Sequence, residues 1–356
     1  MKYCLAIVIL FVFMINFYAI GQSISSLKTI SSFPIGVAIN PDLLTKNKLY
    51  RNVVSDEFNS ITSENVLKCA TVHPKKDVYD FTKGDILVDF ARENNMRVHG
   101  HCLAWHQGVP KWMYEFQGDS SAWEKLLQQH IQTVLEHYKG KMVSWDVVNE
   151  AFNEDGSYRM DTVNDEKKHR FITLWRNHLG IDYIARAFIY AHKADPNVLL
   201  FYNEFGQERS KEKLAAELKM VEDYKKRGIP IHGLGLQMHI TINTKEEGIV
   251  NLLKKAAATG LLIHISELDI SVNPKKDNDL VYTDSLKELQ SKKYAFVVEQ
   301  YRKLVPKKQQ YGITFWNVGD DDSWLVRWKN AKDYPLLFDS NYQRKDCYKA
   351  FENALK

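Results

Sequence analysis

Cysteine is scarce in this chain, and its placement excludes several kinds of stabilisation. Four cysteines occur among 356 residues, and Cys4 lies in a segment that we expect to be removed. The other three, Cys69, Cys102 and Cys347, can form one disulfide at most. They form no CxxC pair and show no Cys/His spacing typical of a metal site, so we expect buried thiols, no metal and no cofactor.

The chain also lacks a strong charge of one sign and a second long apolar run. The formal net charge is only +4, which predicts no nucleic-acid partner. Residues 4–17 are apolar, but this run is shorter than the ~20 residues of a membrane-spanning helix. Lys2 precedes the run and Ala19 and Gly21 follow it, which is typical of a secretory signal. We therefore predict a signal peptide at 1–21, export to the periplasm or medium, and no membrane contact after cleavage.

No linker rich in Pro, Ser or Gly and no internal repeat divides the rest of the chain. Residues 22–32 are polar and rich in serine, and we expect a short leader there. Residues 33–356 are predicted to form a single domain, long enough for an α/β barrel of roughly 250 residues with loop insertions. We expect this domain to be a monomer.

Eight short apolar segments alternate with amphipathic ones along this domain. The segments predict strands at 33–39, 60–62, 97–102, 142–148, 198–202, 233–239, 262–266 and 312–315. The amphipathic segments predict helices at 83–94, 123–137, 181–194, 211–228, 244–259 and 286–305, with a last helix at 342–355. Continuously apolar strands that alternate with helices favour a parallel sheet, and eight of them close as a (β/α)8 TIM barrel. An open doubly wound sheet is the alternative, but GVAINPD after the first strand is not its Gly-rich phosphate loop.

Two predicted strands end in a glutamate. WDVVNEAF at 145–152 places Asn149 beside Glu150, and LLIHISELDI at 261–270 places Glu267 at the end of an apolar run. A retaining glycosidase needs two such carboxyl groups, one protonated to serve the leaving oxygen and one ionised to attack the sugar carbon. Either glutamate alone is more often a solvated or ion-paired residue, so the neighbouring residues must decide its role.

Polar and aromatic residues follow most of the other predicted strands as well. The carboxyl ends of all barrel strands meet on one face, where active sites form. A single such residue is more often a cap, a core histidine or a surface charge, but clusters at most strand ends predict a site. The clusters are Ser63, Glu64, Asn65 and Lys68; His101, Trp105 and His106; Asn203 and Glu204; Gln237 and His239; Asp269; and Trp316.

These residues resemble the motifs of glycoside hydrolase family 10, the endo-β-1,4-xylanases. The resemblance extends from Ile35 to Phe351. It implies hydrolysis of internal β-1,4 bonds in xylan and xylo-oligosaccharides by a retaining double displacement. The matching motifs are SENVLK at 63–68, HGHCLAWHQGVPKWM at 99–113, WDVVNEAFNEDGS at 145–157, LGLQMH at 234–239, ISELDI at 265–270 and TFWNVGDDDSWL at 314–325.

The resemblance also implies a role for each matching residue. Glu150 would be the acid/base and Glu267 the nucleophile. His239 would bond the nucleophile with Asp269 behind it, and we interpret His106 as a structural support. The faces and N–H groups of three tryptophans suit pyranose rings. The sugars on the non-reducing side of the cut would be bound by Glu64, Asn65, Lys68, His101, Trp105, Asn149, Gln237, Trp316 and Trp324.

The chain departs from the family pattern at a few positions. Cys69 stands where Trp is usual, and Asn203–Glu204 stands where Asn followed by Asp is common. We expect neither departure to touch the catalytic pair. Asn317 replaces a common Gly and Leu325 a common polar residue, which should affect fine substrate preference rather than the reaction.

Two other functions stay open at this point. A related barrel with the same two glutamates could cut another β-1,4 or mixed-linkage glucan. A binding protein could keep the sugar contacts without turnover, although the presence of both glutamates favours an enzyme. Bulky tryptophans over the reacting subsite would exclude the hydroxymethyl group of glucose, which xylose lacks, and this favours xylan.

Overall fold

The structure, a computed structural model, describes residues 25–161, 172–327 and 332–356. The predicted signal peptide and the first residues of the predicted leader therefore lie outside the described residues. Within the described ranges, no helix is both long and apolar enough to cross a membrane.

The strands form one sheet that closes on itself. Each strand is parallel to its neighbours, β1 pairs with both β2 and β9, and β6 pairs with β8, so the ring is complete. The predicted (β/α)8 barrel is confirmed. The strands are β1 Ile35–Ile39, β2 Ser60–Ser63, β3 Arg97–Trp105, β4 Ser144–Asn149, β5 Leu199–Glu204, β6 Gly233–Leu236, β7 His239–Thr241, β8 Leu262–Ser271 and β9 Gln310–Phe315.

One predicted strand is divided in two. The sequence predicts a continuous strand over 233–239, whereas β6 ends at Leu236 and β7 begins at His239. Met238 between them has a φ of 60°, a left-handed conformation that a strand cannot include. Only β6 belongs to the closed ring, while β7 adds a short pairing on the edge of β8.

Helices surround the sheet. The predicted helices correspond to α5, α7, α9, α10, α11, α12 and α14, with ends that differ by a few residues. The helices are α1 Leu27–Ile30, α2 Pro41–Lys46, α3 Lys48–Glu57, α4 Cys69–Val72, α5 Thr82–Glu93, α6 Lys111–Tyr114, α7 Ser120–Tyr138, α8 Leu174–Leu179, α9 Tyr183–Ala194, α10 Lys211–Arg227, α11 Glu246–Ala258, α12 Asp284–Leu304, α13 Trp324–Arg327 and α14 Asp346–Leu355.

Two helices between β1 and β2, α2 and α3, were not predicted from the sequence. Two asparagines begin them: the Asn40 side chain accepts a hydrogen bond from the Asp42 amide, and the Asn47 side chain accepts one from the Tyr50 amide. Asn is a favoured N-cap residue, and Pro41 occupies the first position of α2, where a missing N–H is harmless. The capping signal was present in the sequence, but α2 is too short for helical periodicity to reveal it.

Aromatic rings pack so closely against two of the strands that those strands require glycine. A Cβ atom at Gly100 would lie 2.3 Å from the Trp145 ring, and one at Gly233 would lie 2.1 Å from the Phe201 ring. Both distances are far below van der Waals contact. Any larger residue at these strand positions would displace a core ring.

A buried carboxylate joins the two ends of the domain. Glu57 at the end of α3 accepts hydrogen bonds from the Leu27 amide at 3.1 Å, from Arg344 Nε at 2.9 Å and from the Tyr348 hydroxyl at 2.8 Å. The Leu27 side chain is itself fully buried. Part of the segment that the sequence analysis treated as a leader is thus packed against the C-terminal helix.

We expect Glu57→Ala to lower the free energy of unfolding by about 3 kcal/mol, because Arg344 and two further donors lose a buried acceptor. Urea denaturation followed by intrinsic fluorescence measures the change. Glu93→Ala is the control, since its ion pair with Arg51 is exposed and should contribute less than about 1 kcal/mol. Equal denaturation midpoints for the two variants would contradict the proposed role of Glu57.

Candidate active site

Glu150 follows the end of β4 in an unusual backbone conformation. Its φ is 57°, which is strained for a residue other than glycine and costs on the order of 1–3 kcal/mol. Neighbouring groups hold this turn: the Glu150 amide donates to the Asn203 carbonyl at 2.9 Å, and Arg159 Nε donates to the Glu150 carbonyl at 3.0 Å. The side chain consequently lines the main cleft.

Glu267 on β8 is buried with both carboxylate oxygens engaged. Asn203 Nδ2 donates to Oε1 at 2.7 Å, and His239 Nε2 lies 3.2 Å from Oε2. Burial by itself would raise the pKa of Glu267, but the hydrogen bond from His239 and the positive charges of His101 and Lys68 more than offset it and lower the pKa. Glu267 is therefore a carboxylate at neutral pH.

His239 lies between two carboxylates. Its Nδ1 is 2.7 Å from Asp269 Oδ2, and the same oxygen accepts a hydrogen bond from Trp324 Nε1 at 2.8 Å. Burial disfavours the charged imidazole, but Asp269 and Glu267 outweigh this effect and raise the pKa of His239 to about 10. The protonated ring can donate to both carboxylates at once and so fix the position of Glu267.

Three amide side chains connect the two glutamates. Asn149 Oδ1 accepts hydrogen bonds from Asn203 Nδ2 at 3.0 Å and from Gln237 Nε2 at 3.2 Å. Gln237 Nε2 also donates to Glu150 Oε1 at 3.0 Å. An unbroken chain of hydrogen bonds thus runs from Glu150 through Gln237, Asn149 and Asn203 to Glu267.

The expectation that the Asn203–Glu204 pair leaves the catalytic glutamates untouched is wrong. Asn203 bonds Glu267 directly, and Ser266 Oγ donates to its Oδ1 at 2.7 Å. The sequence did place Asn203 at a strand end. Its partner could not be identified, however, because Glu267 lies 64 residues further along the chain.

A buried ion pair supports the segment after Glu150, and the sequence analysis missed it. Glu204 accepts hydrogen bonds from the Phe152 amide at 3.1 Å and from the Tyr202 hydroxyl at 2.8 Å, and that hydroxyl accepts one from the Ala151 amide at 2.9 Å. Lys213 Nζ lies 3.3 Å from Glu204, and both side chains are fully buried. Burial raises the pKa of Glu204, and the charge of Lys213 partly offsets this rise.

The predicted sugar-binding residues line the same cleft as the two glutamates. Lys68 Nζ donates to Asn65 Oδ1 at 3.0 Å and lies 4.8 Å from the centre of the Trp105 ring and 5.8 Å from that of the Trp316 ring. All of the predicted sugar-binding residues line a cleft of about 560 Å³, namely Glu64, Asn65, Lys68, His101, Trp105, Asn149, Gln237, His239, Trp316 and Trp324.

Two of the tryptophan N–H groups are used within the site, which differs from the sequence interpretation. Trp105 Nε1 donates to Glu150 Oε2 at 2.9 Å, and Trp324 Nε1 donates to Asp269. The indole N–H groups of Trp105 and Trp324 therefore hold the carboxylates of Glu150 and Asp269 in place.

His106 lies behind Glu150 rather than in the main cleft. It lines a small separate cavity together with Glu150 and Arg159. Burial lowers the pKa of His106 to about 4, so the ring is neutral at physiological pH. Its position fits a supporting residue better than a sugar contact.

Asn317 explains one departure from the family pattern. Its φ is 87°, which glycine adopts freely and which Asn tolerates better than most residues. The Asn317 side chain also accepts a hydrogen bond from the Trp324 amide at 3.1 Å. Asn at this position therefore keeps the backbone turn and helps to place Trp324.

The cleft is also lined by residues that were not identified from the sequence. Phe205 and Arg209 line it, with the Arg209 guanidinium 5.4 Å from the centre of the Phe205 ring. They follow the β5 cluster in the sequence. An aromatic residue and an arginine in a loop carry no distinctive pattern, so only their place in the cleft reveals them.

We expect His239→Gln to move the acid limb of the kcat/KM pH profile to higher pH, because the neutral amide no longer lowers the pKa of Glu267. The profile measured on a soluble glycoside substrate tests this. His137→Gln on the outer helix α7 is the control and should leave the profile unchanged. An unchanged acid limb in His239→Gln would contradict the electrostatic role.

Protonation of the His239 ring should also make the free energy of unfolding depend on pH. Its pKa rises from an ordinary 6.5 to about 10 in the folded protein, so the stabilisation is complete below pH 6.5 and is lost as pH rises to about 10. The difference in unfolding free energy between wild type and His239→Gln should shrink across that range.

The comparisons with known proteins agree with this geometry. Residues 25–354 match the sequence model of Glycosyl hydrolase family 10. Endo-beta-1,4-xylanase Xyn10C of Cellvibrio japonicus is 38% identical over 349 residues, which are 91% of this chain but 56% of that protein. Beta-1,4-xylanase of Dictyoglomus thermophilum is 37% identical over 336 residues, 92% of this chain and 90% of that protein.

Solved structures give the same result. A mutant of xylanase 10C from Cellvibrio japonicus in complex with xylopentaose is 36% identical, with a TM-score of 0.85 over 94% of this chain and 69% of that one. Native xylanase 10B from Thermotoga maritima is 32% identical, with a TM-score of 0.83 over 93% of this chain and 98% of that one. Family match, identity and fold together place this chain in Glycosyl hydrolase family 10.

Proposed function

We propose that this protein is an endo-1,4-β-xylanase that acts with retention of configuration, with Glu150 as acid/base and Glu267 as nucleophile. The observation that carries the proposal is the hydrogen-bonded chain that joins these two carboxyl groups inside the cleft. The named activities of Xyn10C and of the Dictyoglomus thermophilum enzyme support the choice of xylan.

Glu267 has the properties of a nucleophile. It is ionised, almost fully buried and held on both oxygens by Asn203 and His239. A fixed carboxylate with little surrounding water can approach the anomeric carbon of a bound sugar without first losing a hydration shell. Its attack would form a glycosyl ester on Glu267 while the bond to the leaving oxygen breaks.

Glu150 would serve both halves of the reaction. In the first step it gives its proton to the leaving oxygen. Once Glu267 is esterified its negative charge is gone, and Glu150, now a carboxylate, takes a proton from the water that cleaves the ester. Gln237 and Trp105 each donate to one of its oxygens, and both hydrogen bonds fix the position of the carboxyl group.

Asn149 is placed to stabilise the transition state. Two amide donors meet its Oδ1, which leaves its NH2 group to donate to the 2-hydroxyl of the sugar at the reacting subsite. Such a contact strengthens as positive charge develops at the anomeric carbon. Because Asn149 directly precedes Glu150, the same strand end positions both groups.

The aromatic residues beside His239 favour xylose over glucose. The Trp324 and Trp316 ring centres lie 4.9 Å and 6.3 Å from that of His239. Bulky rings at this distance restrict substituents on C5 of a sugar seated against Glu267, and xylose has none there. Among the relatives, Exoglucanase XynX of Acetivibrio thermocellus is 35% identical, so activity on glucans needs a direct comparison.

We expect release of reducing sugar from xylan to exceed that from mixed-linkage β-glucan at least tenfold. Glu267→Gln should lose roughly a thousandfold or more of the xylan activity, because its amide cannot attack the sugar. The exposed Glu93→Gln is the matched control. Faster hydrolysis of β-glucan than of xylan would contradict the assignment as a xylanase. Substantial activity of Glu267→Gln on xylan would contradict the assignment of Glu267 as the nucleophile.

A second variant separates the two glutamates within this experiment. Glu150→Ala should retain the first step on aryl xylosides with good leaving groups, and azide should partly restore turnover, since only proton transfer is missing. Equal loss on all substrates without an azide effect would contradict the acid/base role.

We expect the β-anomer to be released first from a β-linked xylo-oligosaccharide. A retaining enzyme separates its carboxyl groups by roughly 5 to 5.5 Å, too little for a water between carboxylate and sugar, whereas inversion needs roughly 6.5 to 9.5 Å. Proton NMR in the first minutes, before mutarotation, measures the anomer. An initial α-anomer would mean that Glu267 activates water instead of attacking.

The proposal includes export of the protein. Its support is the basic residue and apolar run within residues 1–21. One family member is described as an intracellular xylanase, TsXylA of Thermoanaerobacterium saccharolyticum, so membership of the family does not decide location. Protein recovered outside the cytoplasm should begin near Gln22, and recovery of the protein only from the cytoplasm with an intact N-terminus would contradict export.

A further inference from the structure

A second group of reactive side chains lies outside the cleft. Cys69, His73 and His130 are buried, and one potential ligand atom of each lies within 4.8 Å of the others. Cys69, like Cys102 and Cys347, is a free thiol. Cys69 is the first residue of α4 and His73 directly follows this helix, whereas His130 comes from α7. These residues come from separate elements and so show no metal-site spacing in the sequence, which is why no metal was expected.

His130 is already arranged as a metal ligand would be. Its Nε2 lies 3.1 Å from the Leu103 carbonyl, and only a protonated Nε2 can donate to that oxygen. The other nitrogen, Nδ1, then carries the lone pair, and it lies 4.0 Å from Cys69 Sγ. Metal-binding histidines almost always donate their second nitrogen to a carbonyl or carboxylate in this way.

His73 supplies an independent observation. The residue is 2% exposed, yet neither of its ring nitrogens has a hydrogen-bond partner in the structure. Buried polar groups in proteins are almost always satisfied, and an unsatisfied one destabilises the fold. The ring stacks on Tyr79 at 4.1 Å, and the His73 carbonyl accepts a hydrogen bond from Trp112. The imidazole is therefore held inside without a partner for either nitrogen.

A second sulfur completes the group. Met113 Sδ lies 4.0 Å from Cys69 Sγ, and its side chain is fully buried. One thiol, two imidazoles and one thioether form a soft donor set. Soft thiolate and thioether ligands suit Cu(I), zinc and iron–sulfur clusters, and two imidazoles with one thiolate and a nearby thioether are typical of copper sites. Calcium and magnesium require oxygen ligands.

We propose that Cys69, His73 and His130, with Met113 beside them, bind a single Cu(I) ion. The copper–sulfur bond forms as the Cys69 thiol releases its proton to solvent, and no electron transfer is involved. Bonds of roughly 2.0 to 2.3 Å to sulfur and nitrogen place ligand atoms about 3.3 to 3.8 Å apart. The present separations of up to 4.8 Å mean that the group must close by about 1 Å.

His73 is the ligand that would move. Its ring is parallel to that of His130 within 7°, with centres 5.5 Å apart, so a shared ion requires it to turn. It sits just beyond the four-residue helix α4, while His130 is fixed within α7. Copper binding would thus tie α4 to α7. Lys68, a predicted sugar contact, directly precedes α4, so bound copper would stiffen that wall of the cleft.

Transfer of Cu(I) from a coloured bicinchoninate complex under anaerobic conditions tests the proposal on the full folded protein. Wild type should remove one equivalent, seen as loss of the chelate colour, and its melting temperature should rise by roughly 3 °C or more at saturation. Cys69→Ser and His73→Phe should each weaken binding about tenfold or more.

Two features make the variants informative. His73→Phe keeps a ring to stack on Tyr79 and removes only the nitrogens, and circular dichroism verifies that each variant is folded. Cys347→Ser is the matched control, because it changes a buried thiol outside the group and should bind Cu(I) as wild type does. The proposal is overturned if wild type takes up no Cu(I). It is also overturned if wild type, Cys69→Ser and His73→Phe take up Cu(I) equally. Zn(II) that binds where Cu(I) does not overturns the assignment to copper.

Discussion

The geometry of the cleft depends on the hydrogen bonds that the side-chain amide of Asn203 makes. In the parallel register of the barrel, Asn203 on β5 lies opposite Asn149 on β4 and Gly235 on β6. Its NH2 group bonds both Asn149 and Glu267. A Cβ atom at Gly235 would lie 2.1 Å from the Asn203 oxygen, so glycine there leaves the room that this amide needs. The strand register therefore brings together carboxyl groups that are distant along the chain.

Charge balance is the second constraint. Buried carboxylates are costly unless a cation or donor compensates them. The protonated His239 compensates Glu267 and Asp269, and Lys213 compensates Glu204 behind the turn of Glu150. The first arrangement keeps the proposed nucleophile ionised. The second holds the strained backbone from which Glu150 projects, so ionisation and geometry are set by different ion pairs.

The group formed by Cys69, His73, His130 and Met113 contains a buried polar side chain that is not compensated. Here a buried imidazole lacks a partner, and two sulfur atoms are close to a correctly oriented histidine. In the cleft, Glu150 and Glu267 are each hydrogen-bonded on both carboxylate oxygens, whereas neither ring nitrogen of His73 has a hydrogen-bond partner. The group around Cys69 can accept an ion because the ring nitrogens of His73 lack hydrogen-bond partners, and not only because of its residue types.

The sequence by itself determined the eight strands of the barrel and most of its longer helices. Apolar segments alternating with amphipathic ones predicted the barrel, and its geometry places Glu150 and Glu267 on the same face as their neighbours. Those signals are local, because strand and helix periodicity is contained within a few residues. Only the tertiary structure decided which groups touch: the bonds from Asn203 to Glu267, the tryptophan N–H groups turned to carboxylates, and the high pKa of His239. Such contacts join different strands and loops, and their strength depends on burial, which no stretch of sequence contains.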